Sequence, residues 1–320
     1  MYRYSTYLTC DNSNLSTLEN YLLQGSQLSL VVVPIIPLNR VTRLEEVGGK
    51  SWTLALLQRA GMPIPRGFCV PVATMRELQA GKTLEDVEAA LSDLYTPSVA
   101  VRSSALAEDG QRTSFAGVYR TELNVPANAH AVLLSLLRIA ESANSDAASS
   151  YSRRVRISET GEMGALVQEM VYADVAGVLF TANPITKEKQ FIIEASWGLG
   201  EYVVSGKVNA DRYILTPGGE LSHREIGAKK KKLVAQPNCL SEVPVSPPRD
   251  LEPSLNPEML GNLVTVGAAC EKLLGYSGDI EWAIEEDTLW ITQCRPITTL
   301  LYVTPENAYP GDRYLCYIPL

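Results

Sequence analysis

Four polar residues near the end of the chain have the types and spacing of a catalytic or metal-binding platform. The stretch DIEWAIEEDTLWITQCRP, residues 279–296, contains two apolar runs interrupted by these polar positions. We expect the two runs to form a β-hairpin with the three-residue loop 286–288. The pairs predicted by this register are Asp279 with Arg295, Glu281 with Gln293, and Ala283 with Ile291.

The polar members of these pairs share one face of the predicted hairpin. Glu281 and Gln293 offer hard oxygen ligands suited to Mg²⁺, which usually takes its other ligands from water and substrate phosphates. Arg295 could neutralise phosphoryl charge in a transfer step. The alternative is a surface hairpin with an Asp279–Arg295 ion pair worth ~0–1 kcal/mol. The opposite, core-facing side is predicted to carry Ile280, Trp282, Ile284, Trp290 and Thr292.

Two segments in the first half of the chain could bind phosphate. VGGKS at 47–51 is not a P-loop, because Leu44 stands where the first glycine is needed. It still places Lys50 at a helix start, either beside a polyphosphate or in a surface turn. RTSFAGVYRT at 112–121 contains Gly117 and Thr121 in a loop of small residues that can close over phosphoryl oxygens, with Arg102 as a fixed fork nearby. A flexible surface loop is the alternative.

Composition limits the class of protein. The chain has 320 residues, of which 46% are hydrophobic and 20% are charged, so it can bury a core of two lobes. Its net charge of −8 argues against broad nucleic-acid binding. The six cysteines form no CxxC pair, so we expect neither zinc nor disulfides and infer a reducing cytoplasm. The most apolar run, 28–38, is too short and proline-rich to span a membrane.

The hydrophobic period and the turn residues place the main elements. We predict helices over 51–61, 130–143 and 258–274, and strands over 98–104, 164–171, 176–184 and 191–196. The six prolines of 236–257 predict a loop rather than regular structure. The lysine run KKKK at 229–232 is interpreted as a solvated charge run. The two histidines have no partnered serine or cysteine signature, which gives a hydrolase triad little support.

Six segments, taken in their order along the chain, carry a family resemblance. They are VGGKSWTLALLQRAGMPIPRGF, VAVRSSALAEDGQRTSFAG, VQEMV, GVLFTANP, EASWGLGEYVVSGKVNADRY and DIEWAIEEDTLWITQCRPIT. Together they resemble, over about residues 45–300, the ATP-binding domain of the phosphoenolpyruvate synthase and pyruvate phosphate dikinase family. GVLFTANP and GLGE-x-VVSG are especially similar to rifampicin phosphotransferases.

The resemblance implies an α+β, ATP-grasp fold with ATP and Mg²⁺ between two α/β lobes. The implied organisation is an N-terminal extension (1–44), lobe 1 (45–167), lobe 2 (168–300) and a C-terminal tail (301–320). Lys50, Arg102 and Arg295 would be catalytic and would hold phosphates, and Glu281 and Gln293 would bind the metal. The remaining implied nucleotide contacts are Gly117 and Thr121 in a lid loop, and Gln168, Glu169 and Val171 in an interlobe hinge that reads adenine and ribose.

The resemblance also implies a reaction and its partners. In this family the domain passes a phosphoryl group to a histidine on a separate domain, and ATP ends as AMP plus phosphate. We therefore expect a Mg²⁺- and ATP-dependent phosphotransferase whose acceptor is a small molecule or a separate phosphohistidine carrier, without nucleic-acid or membrane partners. An ATP-grasp ligase that forms acyl phosphates and a non-catalytic nucleotide sensor are the alternatives. Arg120 departs from the family, which often has an acid there.

Overall fold

The computed structural model describes residues 35–80, 86–106, 120–143, 162–237 and 239–297. Three expectations lie wholly or largely outside these residues. The first is the N-terminal extension, up to residue 34. The second is the small-residue loop, of which residues 112–119, including Gly117, lie outside. The third is the tail from residue 301.

The structure combines helices with antiparallel sheets in an α+β arrangement, and this confirms the predicted fold class. The strands are β1 Ile36–Pro37, β2 Gly67–Val70, β3 Ser98–Ala105, β4 Thr121–Pro126, β5 Met163–Glu169, β6 Val175–Phe180, β7 Phe191–Trp197, β8 Asp211–Leu215, β9 Leu221–Glu225, β10 Lys231–Gln236, β11 Cys239–Pro244, β12 Gly278–Glu285 and β13 Thr288–Pro296. The helices are α1 Leu44–Val47, α2 Gly49–Arg59, α3 Val72–Gln79, α4 Val87–Ser92, α5 Ala129–Ala143, α6 Glu201–Val204 and α7 Pro257–Leu274, with 3₁₀ turns at Leu38–Arg40 and Arg249–Leu251.

The first sheet has the strand order β1-β2-β5-β3-β4, and all its pairs are antiparallel. β3 and β5 lie in its centre and are almost entirely buried. The apolar sides of α3, α4 and α5 pack on one side of this sheet, in a cluster that includes Met75, Leu91 and Leu136. α2 covers other core residues with Leu54 and Leu57, as the sequence predicts.

The second sheet has the order β13-β12-β6-β7-β8-β9 and is also antiparallel throughout. α7 packs on its back, against a core that includes Leu179, Tyr213 and Trp282. The side chain of Asn256 accepts a hydrogen bond at the start of α7, and Gly275 ends the helix with a positive φ of 76°. A separate pair of strands, β10 and β11, forms a third, two-stranded sheet.

The β12–β13 hairpin has the predicted polar pairs but a different turn. Asp279 pairs with Arg295 and Glu281 with Gln293, whereas Ala283 lies opposite Trp290 and not Ile291. The turn contains two residues instead of three, and Thr292 is an extra bulge residue that restores the register of the polar pairs. The assignment of Trp290 and Thr292 to the core face was therefore wrong. Leu289 and Ile291 contact the core instead.

The turn of this hairpin offers a test of its geometry. Glu286 and Asp287 both have positive φ angles, of 46° and 65°, as a type I′ turn requires. Because Asn and Gly adopt these angles at lower cost, Glu286→Asn combined with Asp287→Gly should raise the free energy of unfolding by about 0.5–1 kcal/mol. Urea unfolding of both proteins measures the change. A decrease in stability would contradict the two-residue turn.

Two further expectations were wrong in the second half of the chain. Part of the proline-rich segment 236–257 is regular structure, since β11 pairs with β10 along its whole length. The prolines of this segment lie at the ends of the hairpin or beyond it. Within the lysine run, Lys229 is 0% exposed and forms an ion pair with Asp211, so it is not a solvated charge.

The division into two lobes remains a proposal, for which the two large sheets provide the support. The first sheet begins at Ile36 and ends at Glu169, and the second begins at Val175. The proposed boundaries at 44/45 and 167/168 therefore fall close to the sheet limits but not on them. Ile36–Pro37 already pairs with β2, and the boundary at 167/168 lies inside β5.

Candidate functional site

A cavity of about 680 Å³ lies between the first and second sheets, a size typical of small-ligand sites. It is lined by residues from both sheets and from the segment that connects them. Nine of the ten site residues expected from the sequence line it, and the tenth, Gly117, lies outside the described residues. The nine are Lys50, Arg102, Thr121, Gln168, Glu169, Val171, Glu281, Gln293 and Arg295.

Lys50 reaches the cavity from the first turn of α2. The preceding Gly48 has a φ of 82°, and a Cβ atom there would collide with the backbone of Ser104 in β3. The backbone N–H of Ser51 donates to Ser104 Oγ at 3.0 Å. Glycine thus allows the helix start to lie directly on β3. The Lys50 side chain is only 4% exposed, so its position is fixed by packing.

The side chain of Arg102, a residue of β3, extends from the first sheet to the second sheet. Its guanidinium donates to the carbonyl oxygen of Thr292, the bulge residue of β13, and its Nη2 lies 3.8 Å from Glu281 Oε2. Its Nε–H is buried and has no hydrogen-bond partner among the described residues. A buried donor without a partner indicates a group that an anionic ligand can satisfy.

The polar row on β12 and β13 forms the opposite wall. Arg295 donates through Nε to Asp279 Oδ2 at 2.8 Å, and its Nη2 lies at the same distance from that oxygen. Burial raises the pKa of Asp279, Arg295 acts in the opposite direction, and the neighbouring Glu281 raises it further. Gln293 lies opposite Glu281 and is 8% exposed. The wall therefore combines one carboxylate–arginine pair with one carboxylate–amide pair.

This donor set fits Mg²⁺ only in combination with a ligand. No group of three or more His, Cys, Asp or Glu residues that could hold a metal occurs in the described ranges. Glu281 and Gln293 lie opposite each other and could offer two oxygen atoms, the number that Mg²⁺ usually takes from a protein when phosphates and water complete its shell. The site thus suits a metal that arrives with a phosphate ligand.

The other end of the cavity is apolar. Ala100, Met170, Ala176, Leu199 and Ala283 form a buried cluster there, next to the segment that connects β5 to β6. Gln168 is buried and donates to the carbonyl oxygen of Pro65 at 3.1 Å, while Glu169 forms an ion pair with Arg66. An apolar pocket of this kind suits a flat heteroaromatic ring.

Thr121 lies at the start of β4, beside a charged cluster that sequence reasoning did not explain. Arg120 and Arg138 both pair with Glu122, at 2.7 Å each. Although burial would raise the pKa of Glu122, the hydrogen bonds from Arg138 and the positive charges of Arg138 and Arg120 lower it overall. Arg120, the departure from the family pattern, thus serves a local ion-pair network at the edge of the cavity.

This network predicts a pH-dependent contribution to stability. The lowered pKa of Glu122 means that its stabilisation is present above the ordinary carboxyl pKa and is lost as pH falls through the lowered value. We expect Glu122→Gln to reduce the free energy of unfolding by about 1–3 kcal/mol near pH 7, and by less at lower pH. Urea unfolding across pH measures this. A difference that stays constant as pH falls would contradict the lowered pKa.

Sequence reasoning missed three polar residues on the same side of the molecule. Glu201, at the start of α6, lines the cavity. Glu194 and Arg212 lie opposite each other on β7 and β8, in the cross-strand row that contains Glu281 and Gln293. Burial raises the pKa of Glu194, and Arg212 opposes this. For Glu194 and Arg212, the available signal was a charged residue inside a largely apolar strand, FIIEAS in the first case and DRYIL in the second.

The sequence of the chain is similar to a family model and to several known proteins. Residues 82–309 match the family model for the pyruvate phosphate dikinase AMP/ATP-binding domain. Over 82% of its own length, the chain is 33% identical to the prodigiosin synthesizing transferase PigC of Serratia marcescens. Over the same share of its length, it is 35% identical to a rifampicin phosphotransferase of a Streptomyces species. Over 79% of its length, it is 32% identical to a probable phosphoenolpyruvate synthase of Archaeoglobus fulgidus.

The matched regions are only a part of these relatives. The chain spans 33% of the PigC protein, 35% of the rifampicin phosphotransferase and 40% of the probable synthase. The similarity therefore concerns one region of each relative. Within the described residues, every helix falls short of the length and apolarity that crossing a bilayer requires.

Proposed function

The chain belongs to the family of pyruvate phosphate dikinase AMP/ATP-binding domains, and from this premise we propose that it is an ATP-grasp phosphotransferase module that transfers a phosphoryl group from ATP. One observation carries the proposal. Basic residues from the first sheet and a carboxylate–amide–arginine wall from the second face each other across one cavity. Such a site can bind a triphosphate and a divalent cation together.

The proposed binding mode follows the two ends of the cavity. Adenine occupies the apolar end and contacts the backbone of Gln168, Glu169 and Val171. The triphosphate extends toward Glu281 and Gln293, which would hold Mg²⁺, and the metal would neutralise part of the phosphate charge. Thr121 contributes at the entrance, and Gly117 belongs to the same proposed lid.

The proposed chemistry is an in-line attack on a phosphorus atom whose oxygens are held from both sides. Lys50 and the Nε–H of Arg102 bind phosphate oxygens from the first sheet, and Arg295 does so from the second. Because the three cations are fixed by packing and hydrogen bonds, they stabilise the charge of the transition state without reorganising. Asp279 positions Arg295 through its contacts to the guanidinium.

The acceptor is a small molecule or the histidine of a separate carrier domain. The relatives named as transferases or synthases are much longer than this chain, and this favours a partner or further sequence that supplies the acceptor. No nucleic-acid or membrane partner is part of the proposal. A cytoplasmic location is included, since the cysteines that the structure describes carry free thiols, which a reducing compartment maintains.

Product analysis tests the function. The protein is incubated with Mg²⁺ and ATP, first alone, then with candidate small acceptors, then with a phosphohistidine domain of a relative, and nucleotides are separated by chromatography. AMP plus phosphate supports dikinase chemistry, and ADP with a phosphorylated acceptor supports a kinase. ADP formed only with a carboxylate and an amine would identify the ligase alternative. Tight ATP binding without turnover under any condition would identify the sensor alternative.

A further inference from the structure

The hairpin of β10 and β11 packs behind the apolar end of the cavity. Its residues Leu233, Ala235 and Leu240 pack in the cluster that contains Ala100, Met170 and Leu199, which line the cavity. The strands of the hairpin belong to neither large sheet. The position of the hairpin must therefore be fixed by other contacts.

Asn124 of β4 provides such a contact at the tip of the hairpin. Its Nδ2 donates to the carbonyl oxygens of Gln236 and Cys239, the residues that end β10 and begin β11, at 2.7 Å each. Asn124 is 7% exposed and has a φ of 59°, which few residues other than glycine adopt without cost and asparagine tolerates best. Both amide hydrogens are used, so the side chain bridges the two strand ends.

The same side chain is connected to the segment between the two large sheets. Asn124 Oδ1 accepts from Ser98 Oγ at 2.9 Å, and Ser98 Oγ also lies 2.8 Å from the hydroxyl of Tyr172. The backbone N–H of Met170 donates to the carbonyl oxygen of Ser98 at 3.2 Å. One short chain of hydrogen bonds therefore links the hairpin tip, β3, β4 and the connecting segment.

We propose that Asn124 is a positioning residue for the nucleotide base, because it fixes the β10–β11 hairpin against the first sheet and so holds in place the apolar residues that line the adenine end of the cavity. This inference rests on the proposed ATP binding. Preorganisation raises affinity by removing the ordering cost that binding would otherwise include. Since the contacts lie at the base end, their loss should weaken the binding of ATP and AMP by the same factor.

Isothermal titration of wild type and Asn124→Asp with ATP and with AMP tests this. Aspartate keeps the size, the tolerance of positive φ and the acceptor for Ser98, but it loses both donors and places a carboxylate opposite two carbonyl oxygens. We expect about tenfold weaker binding of each nucleotide, the effect of two neutral hydrogen bonds. Peptides from 231–244 should also exchange their amide hydrogens faster, while those from β12 and β13 remain unchanged.

Ser241→Ala is the matched control, because Ser241 Oγ donates to Gln236 Oε1 within the hairpin and does not reach the first sheet. Its affinities should equal those of wild type. Asn124→Gly allows the same positive φ angle and removes the side chain. We expect it to weaken the binding of ATP and AMP as the aspartate variant does, so it replaces that variant if the latter fails to fold.

The outcomes separate the two proposals. If wild type binds and both Asn124 variants bind ATP and AMP as tightly as it does, or lose ATP affinity alone, the positioning role is overturned while the proposed function stands. If wild type binds neither nucleotide, the proposed function is overturned together with this inference.

Discussion

Glu281→Gln should lower the rate of ATP-dependent phosphoryl transfer by about 1,000-fold or more, the scale expected when one preorganised charge-stabilising group is lost. Glutamine keeps the shape of the side chain and removes the negative charge that Mg²⁺ prefers in its ligands. The stability of the fold should hardly change. Glu281 faces the cavity, and its only ion pair with the described residues is the 3.8 Å contact to Arg102.

A binding measurement separates the metal role from a general loss of the site. Glu281→Gln should weaken ATP binding in the presence of Mg²⁺ and leave ATP binding in EDTA near the wild-type value. Asp287→Asn is the matched control, because it also neutralises a carboxylate of this hairpin, but in the exposed turn. Full transfer activity in Glu281→Gln would remove Glu281 from the mechanism.

The hairpin shows which part of the site local sequence can predict. Alternation along each strand assigns residues to faces, but the pairing of Glu281 with Gln293 also depends on the length of the turn. The predicted turn was one residue too long, and the bulge at Thr292 restored the register beyond it. The local sequence does not show the contacts that a bulge residue makes with distant parts of the chain. Here the Thr292 carbonyl oxygen accepts from Arg102, a residue 190 positions earlier in the chain.

The meeting of distant residues was predicted from the family resemblance and not from local pattern. Lys50, Arg102 and Gln168 lie on different elements, and their proximity depends on a strand order in which β5 inserts between β2 and β3. The periodicity of hydrophobic residues along the chain does not predict this strand order. The Asn124 network was missed for the same reason, since its partners Gln236 and Cys239 lie more than 100 residues further along.

The burial of Lys229 is another feature that the local sequence does not predict. Within four consecutive lysines, local composition indicates exposure, yet the Lys229 ammonium contacts Asp211 and donates to the carbonyl oxygen of Gly227 at 2.9 Å. Asp211 also accepts hydrogen bonds from Gly227 N at 3.0 Å and from Ser254 N and Oγ at 2.7 Å each. The cluster joins β8 to the segments that lead into β10 and α7.

Lys229→Met should therefore lower the free energy of unfolding by about 3–5 kcal/mol, because it leaves the Asp211 carboxylate buried without its counter-charge. Lys231→Met is the matched control, since Lys231 lies in the same run but forms an ion pair with Glu242 in which both side chains are more than 40% exposed. Its loss should cost about 0–1 kcal/mol. Chemical denaturation measures both.

The double variant Lys229→Met with Asp211→Asn should regain part of the lost stability, because no uncompensated charge then remains. Equal effects of the two lysine substitutions would contradict the burial of Lys229 and the role of its ion pair in holding β8 to the β10–β11 region.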